Sequence, residues 1–290
     1  MVKHAVILMA GKGTRFLPAT KGVAKEMFPI GSKPALLYHL KECYDSGIEE
    51  VTIVISKQKK DVIKFLKHDK ELEELIKGTS KEKLLEEWKQ VVDNIKINFA
   101  YQGKKINGSA GAVWSVKKFV KNKPFALMFG DDVYIAENNQ KPALRELIEA
   151  NNKTNKYVLG CVKVSDDVVD RYGVAIVDGE DNGYSLVKGF KEKPKKGTQP
   201  SNLASLGRYI ILPSIFDNIL KCEKHENGEV YLPEAIALEC AKNNVVACSI
   251  SATYNDLGNK LEFVKCTINE ALKDKEISSQ LKKYLSSLKF

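Results

Sequence analysis

The chain has 290 residues, of which 43% are hydrophobic and 29% charged, with a formal net charge of +9. That is enough apolar chain to build a substantial core without disulfides or structural metal. No apolar stretch approaches the roughly 20 residues that span a bilayer, and the run Ala5 to Ala10 is shorter than the roughly 7 to 15 residues of a signal-peptide core. A cytoplasmic protein with no membrane partner is therefore expected.

Short apolar runs predict strands over Ala5 to Met9, Val51 to Ile55, Ile95 to Ala100, Phe125 to Phe129, Val158 to Val164 and Val174 to Val177. Between the first two, Leu36, Leu37, Leu40 and Tyr44 share one helical face over Ala35 to Asp45, and Gly47 is placed to end that helix. The alternation of strand and helix predicts a mixed, mostly parallel sheet covered by helices on both faces, with ligands beyond the carboxyl ends of the strands. From His68 to Asn94 the pattern is helical and charged: Leu72, Leu75 and Ile76 form one stripe, and Leu84, Leu85, Trp88, Val91 and Val92 another. Thr79 with Glu82 reads as a capping box. This excursion is expected to pack on the core. Turn-rich stretches at Gly179 to Gly183 and Lys193 to Asn202 read as loops within one domain, and amphipathic helix resumes after Asp256.

The six cysteines lie at 43, 161, 222, 240, 248 and 266, without a C-x-x-C pair, so reduced thiols are expected in place of disulfides or a zinc site. Only four of the 46 basic residues are Arg, and the lysines are spread along the chain, which argues against a nucleic-acid face.

After the first predicted strand comes Ala10-Gly11-Lys12-Gly13-Thr14-Arg15-Phe16-Leu17-Pro18-Ala19-Thr20-Lys21. Glycines there let backbone N–H groups approach phosphate oxygens, and Arg15 adds a charged fork; a purely structural turn is the alternative. Phe16 occupies the place of the third glycine of a dinucleotide fingerprint, Lys57 and Lys59 follow the second strand where such a fold needs an acid, and no Gly-Lys pair precedes Ser or Thr. Nicotinamide binding and the Walker class are thus disfavoured. Lys25 places a second cation near the loop, which suits a polyphosphate.

The run from Gly11 to Lys21, followed by Lys25-Glu26-Met27-x-Pro29-Ile30 and Lys33-Pro34, resembles the signature of the sugar-phosphate nucleotidylyltransferases, and within them the bacterial UTP:glucose-1-phosphate uridylyltransferase branch. The resemblance continues in order to about residue 270. It implies an α/β fold of the Rossmann-like, nucleotide-diphospho-sugar transferase type, with one domain over residues 1–290. That domain has a nucleotide-binding half over about 1–135, a sugar-phosphate-binding half over about 136–258, and a C-terminal helical segment over about 259–290.

The resemblance also implies Mg²⁺ as cofactor, UTP and glucose 1-phosphate as substrates, and a homodimer or homotetramer. Ala10, Gly11, Gly13, Thr14, Arg15 and Lys25 would hold nucleotide phosphates. Gln102 with Gly108 would meet the uracil edge, since an amide offers both the donor and the acceptor that an imide requires. Asp131, in Gly130-Asp131-Asp132 past a buried strand, and Asp256, in Asp256-Leu257-Gly258, would be the metal ligands. Gly173, Glu192, Lys193 and Gly207 would bind the sugar phosphate, with Arg15, Lys25 and Lys193 the catalytic cations. Read without the family, Asp131 could be a turn residue and Glu192–Lys193 a surface pair. The segment Glu229 to Glu234 has no assigned role. Another sugar 1-phosphate, dTTP, or a non-catalytic sugar-nucleotide sensor are the alternatives.

Overall fold

The computed structural model describes residues 1–103 and 105–289. Strand β1 (His4–Met9) leads through three short 3₁₀ turns into a two-stranded ribbon, β2 (Pro29–Ile30) and β3 (Lys33–Pro34), and then helix α1 (Ala35–Asp45). Gly47 ends α1 as expected: at φ 77° its N–H bonds to Tyr44 O, and Ile48 N reaches Cys43 O, satisfying the last turn of the helix. Next come β4 (Glu50–Ile55), α2 (Lys60–Phe65), α3 (Lys70–Ile76), α4 (Glu86–Asn94), β5 (Lys96–Tyr101) and α5 (Gly108–Trp114). The chain continues with β6 (Phe125–Phe129), β7 (Asp132–Ile135), α6 (Ala143–Thr154), β8 (Tyr157–Lys163), β9 (Gly173–Asp181), β10 (Tyr184–Glu192) and β11 (Leu203–Ile211). It closes with α7 (Ile215–Ile219), α8 (Leu232–Cys240), β12 (Val245–Ser249), β13 (Thr253–Asp256), α9 (Lys260–Ala271) and α10 (Ser278–Ser287).

Nine strands form one sheet in the order β5-β4-β1-β6-β11-β8-β12-β10-β9. The alternating pattern of β1 explains its two-sided cover. Ala5, Ile7 and Met9 face a core built with Leu36 and Leu40 of α1 and Leu144 and Leu147 of α6, while Val6 faces a second core shared with α5, α7 and α8. Helices thus lie on both faces.

The expectation of a mostly parallel sheet needs correction. Strands β5, β4, β1 and β6 are parallel, but β11 runs antiparallel between β6 and β8, and β10 runs antiparallel to both β12 and β9. The cause is local. Asn182-Gly183, both at positive φ, make a two-residue turn that folds β9 directly back as β10, and no helix intervenes before β11.

The excursion before β5 is anchored through one helix only. Trp88 and Val91 of α4 are buried, and the Trp88 indole donates to Phe65 O at 3.0 Å, whereas Leu72 and Leu75 of α3 remain exposed. The predicted packing therefore holds for α4 and fails for the α3 stripe. The capping pair is present in altered form: Lys81 N donates to Thr79 Oγ1, and Gly78 N donates to Glu82 Oε2. No helix among the described residues is long and apolar enough to cross a membrane.

Candidate active site

The carboxyl ends of β1, β5 and β6 share one edge of the sheet, because these strands are parallel to their common neighbours. The loop after β1 carries Ala10 and Gly11; nothing lies within 4 Å of where a Gly11 Cβ would project, so that backbone is open to a ligand. Gly13 takes a left-handed φ of 63° and is pinned by the Thr20 hydroxyl, which donates to its carbonyl at 2.9 Å. A 3₁₀ turn over Thr14–Phe16 then aims Arg15 back across the loop, while Phe16 packs edge-on against Phe28 and Phe263. Pro18 separates this turn from the next one, over Ala19–Lys21, so no continuous helix forms here.

Arg15, Lys25, Asp131 and Asp256 converge. Lys25 Nζ lies 2.6 Å from Asp131 Oδ2, Arg15 donates to Gly258 O at 3.2 Å, and Gly258 N donates to Asp256 Oδ1 at 2.8 Å. Two features bring Asp256 to Asp131 across 125 residues of chain: β13 pairs antiparallel with β7, setting Asp256 opposite Asp132, and Leu257 N donates to Asp131 O at 2.8 Å. Gly258 fills the centre. A Cβ at that position would lie 2.8 Å from Arg15 Nη1, 3.0 Å from Asp256 Oδ1 and 3.1 Å from Asp131 Oδ2, so only glycine leaves those three ends undisturbed. Lys12, Lys21 and Lys59 line the adjoining cleft.

Burial dominates the electrostatics of these acids. It raises the Asp131 carboxyl most, but the charge and hydrogen bond of Lys25, a backbone hydrogen bond and the charge of Arg15 together hold the group below its usual range. Burial also raises Asp256, reinforced by the charge of Asp131. Asp132 is pushed up to about 7 by burial and then by Asp131, and it accepts a hydrogen bond from Tyr254 Oη at 2.7 Å. The Asp132 carboxylate therefore turns toward Tyr254 of β13 and the backbone of Gly207, away from the Lys25 contact that Asp131 makes. The bond from Tyr254 depends on the β7–β13 pairing, which two four-residue strands do not announce.

Gln102, just past β5, donates through Nε2 to Gly108 O at 3.0 Å, which ties the two residues assigned to the nucleobase to one another. Gly108 sits at φ 82°, where a Cβ would come within 2.6 Å of Val230 O. Glu229 to Leu232 is the strut behind this loop: Val230 N bonds to Asn107 O, Ala110 N to Val230 O, and Leu232 N to Ser109 Oγ. A structural task thus falls to the segment whose role the sequence left open.

The residues that the resemblance assigns to the sugar phosphate reach the same edge by a change of partners. Strand β11 enters from that edge, and Gly207, at φ 59°, marks an irregularity between Ser205 and Tyr209. Past that point Arg208 to Ile211 pair with β6, whereas Ala204 pairs with Val174 of β9. The free end of the β9–β10 hairpin thereby meets β11 just before Gly207. Gly173 lies opposite Glu192 there, so close that a Cβ would fall 2.8 Å from Glu192 Oε2. Lys193 follows, exposed, at φ 42°, its N–H bonded to Tyr172 O at 3.1 Å. A Gly207 Cβ would fall 2.1 Å from Asp132 Oδ2, so Gly207 rests directly on Asp132. The pocket at the Arg15–Asp131 centre is lined by Gly13, Thr14, Arg15, Phe16, Lys25, Asp131 and Gly258, a set that does not include Gln102, Gly108, Glu192 or Lys193.

The family model described as nucleotidyl transferase matches residues 4–272. The UTP–glucose-1-phosphate uridylyltransferase of Staphylococcus epidermidis is 38% identical over 287 residues, covering 99% of this chain and 98% of that protein. Its namesake from Bacillus subtilis is 37% identical, covering 99% and 97%. Among solved structures, a UTP-bound UDP-glucose pyrophosphorylase from Acinetobacter baumannii superposes with a TM-score of 0.88 at 28% identity and covers all of both chains. A UDP-glucose pyrophosphorylase complexed with UDP-glucose gives 0.85 at 26% identity, covering 94% of this chain and all of that one. The chain therefore belongs to the nucleotidyl transferase family and, within it, to the UTP–glucose-1-phosphate uridylyltransferases.

Proposed function

We propose that this protein transfers the uridylyl group of UTP to glucose 1-phosphate, giving UDP-glucose and pyrophosphate, with Arg15, Lys25 and Lys193 as its catalytic cations. The observation that carries the reading is the convergence of two carboxylates and two cations around Gly258 beside an open glycine loop. The names of the relatives and the ligands of the UTP-bound and UDP-glucose-bound neighbours support the choice of substrates.

A phosphate oxygen of the sugar phosphate attacks the α-phosphorus of UTP, and the bond from that phosphorus to the bridging oxygen breaks as pyrophosphate leaves. The nucleophile is already anionic at neutral pH, so no side chain need remove a proton, and positioning with charge neutralisation can carry the step. Lys193, which follows Glu192 at the end of β10, orients the sugar phosphate. Arg15 and Lys25 neutralise the departing pyrophosphate, for which Lys25 exchanges its bond to Asp131 for one to phosphate. Glu192 accepts from sugar hydroxyls, with the backbones of Gly173 and Gly207 beside it. Gln102 and Gly108 receive the uracil.

The donor set fits Mg²⁺. Asp131 and Asp256 supply hard carboxylate oxygens on either side of a point that a single Cβ would obstruct, and no larger cluster of acidic, His or Cys ligands occurs among the described residues. Mg²⁺ is commonly held by one or two carboxylates plus substrate phosphates and water. It would supply charge neutralisation at the α-phosphate. Six free cysteines support a reducing, cytoplasmic setting, and exposed Leu261, Val264 and Tyr284 on α9 and α10 support a homodimer or homotetramer.

The test is pyrophosphate release with Mg²⁺, comparing UTP with dTTP, CTP, ATP and GTP against glucose 1-phosphate and other sugar 1-phosphates. Release confined to UTP with glucose 1-phosphate is expected. A different preferred pair would overturn the substrates, and nucleotide binding without release would favour a sensor.

A further inference from the structure

Arg208, in the middle of β11, is fully buried. Its Nε and Nη2 donate to both carboxylate oxygens of Glu42 at 2.8 to 3.3 Å, Nη1 donates to Gly207 O at 3.1 Å, and Nη2 reaches His39 Nδ1 at 3.1 Å. A guanidinium can only donate, so His39 Nδ1 must accept and the imidazole proton resides on Nε2. That Nε2 is 3.1 Å from Gly130 O and therefore donates to it. Burial and then the Arg208 charge push His39 down to about 3, in keeping with a neutral ring.

One buried cluster thus grips two carbonyls with different duties. Gly130 immediately precedes Asp131, on the nucleotide side. Gly207 is the sugar-side glycine that rests on Asp132. His39 and Glu42 are one turn apart on α1, so the cluster is mounted on a rigid helix, and Glu42 also accepts from Leu144 N at the start of α6. Buried ion pairs contribute little to stability compared with apolar packing of the same volume, and their best-attested use is to fix register. Here the register at stake is that of β11 against β6, whose pairing begins at Arg208 opposite Met128.

We infer that Arg208, held by Glu42 and His39, is a positioning residue that sets the sugar-side end of the site against the nucleotide-side end. This rests on the uridylyl-transfer reading, and it deepens that reading by naming what holds the two half-sites in line. A ligand that spans both ends should feel the loss of the cluster, while a ligand confined to one end should not.

The experiment measures binding of UDP-glucose and of UDP by calorimetry, together with pyrophosphate release, for the wild type and for Arg208→Lys, His39→Leu and His39→Gln. With Arg208→Lys and His39→Leu, UDP-glucose affinity and kcat should each fall about tenfold, the scale on which outer-shell partners act, while UDP affinity changes by less than about twofold. His39→Gln, which keeps an N–H donor near the Nε2 position, should recover most of what His39→Leu loses. If Arg208→Lys fails to fold, the His39 pair decides. A folded His39→Leu that matches the wild type would overturn the inference, as would equal losses for UDP and UDP-glucose. A wild-type protein that neither binds UDP-glucose nor releases pyrophosphate would overturn the functional reading, and the inference with it.

Discussion

Gly258→Ala separates the geometry of the site from its charge, because every acid and base is retained. The added Cβ would meet Arg15 Nη1 at 2.8 Å, Asp256 Oδ1 at 3.0 Å and Asp131 Oδ2 at 3.1 Å, and each contact is relieved only if that side-chain end gives by a few tenths of an ångström. Such a displacement strikes all three groups at once, and it weakens the bond from Arg15 to Gly258 O. A misplacement of about 1 Å can cost about a hundredfold in rate, so a few tenths should cost about tenfold in kcat, close to 1.4 kcal/mol of transition-state stabilisation. Stability should move the other way or not at all. The three nearest neighbours are flexible side-chain ends, and replacing glycine with alanine where no left-handed φ is required restricts the unfolded chain, typically by about 0.4 to 1 kcal/mol. Pyrophosphate release at saturating substrate, titrated with Mg²⁺, and a thermal melt of the same sample are the two assays. Wild-type turnover with an unchanged Mg²⁺ requirement would refute the claim that these three side chains form the working centre. A large drop in melting temperature would show instead that the backbone had yielded.

Asp131→Asn should lower Mg²⁺-dependent turnover by at least about a hundredfold, as expected for removing one of two metal carboxylates; retained activity in the same assay would remove Asp131 from the mechanism. Lys193→Ala should raise the KM for glucose 1-phosphate about tenfold or more while leaving that for UTP nearly unchanged, and equal loss of both would contradict its assignment to the sugar end. Gln102→Glu should weaken UTP binding measured by calorimetry, since it loses the amide donor and turns a carboxylate toward Gly108 O; unchanged affinity would mean the base is read elsewhere.

The parts of the fold that could be read from the sequence are those governed by local pattern. Helix α1 and strand β6 fall at their expected bounds, and β1, β4 and β5 within about one residue, because a buried strand between helices is a continuous apolar run. Strands β10 and β11 escaped notice for the opposite reason. Tyr184–Glu192 carries Ser185, Lys188 and Gly189 on a partly exposed hairpin, and β11 holds Ser205, Gly207 and Arg208, so neither offers a clean alternation. The parallel expectation failed at the same place.

The site divides along that line as well. Residues at loops directly after strands, such as Gly11, Gly13, Gln102 and Asp131, announce themselves because the carboxyl edge of a parallel sheet is where ligands must bind. What places Asp256, Gly207 and Glu192 is long-range pairing: β13 on β7, β11 shifting from β9 to β6, and Gly173 closing on Glu192. No window of the sequence contains both partners of any of these contacts except through the hairpin. Arg208 is the sharpest case. In a linear chain its charge reads as surface or ligand contact, and only the register of β11 against β6 turns it inward onto Glu42 and His39 of α1. An arginine in a strand that should be apolar is the signal the sequence did carry, since a buried guanidinium demands partners and thereby predicts an acid elsewhere in the core.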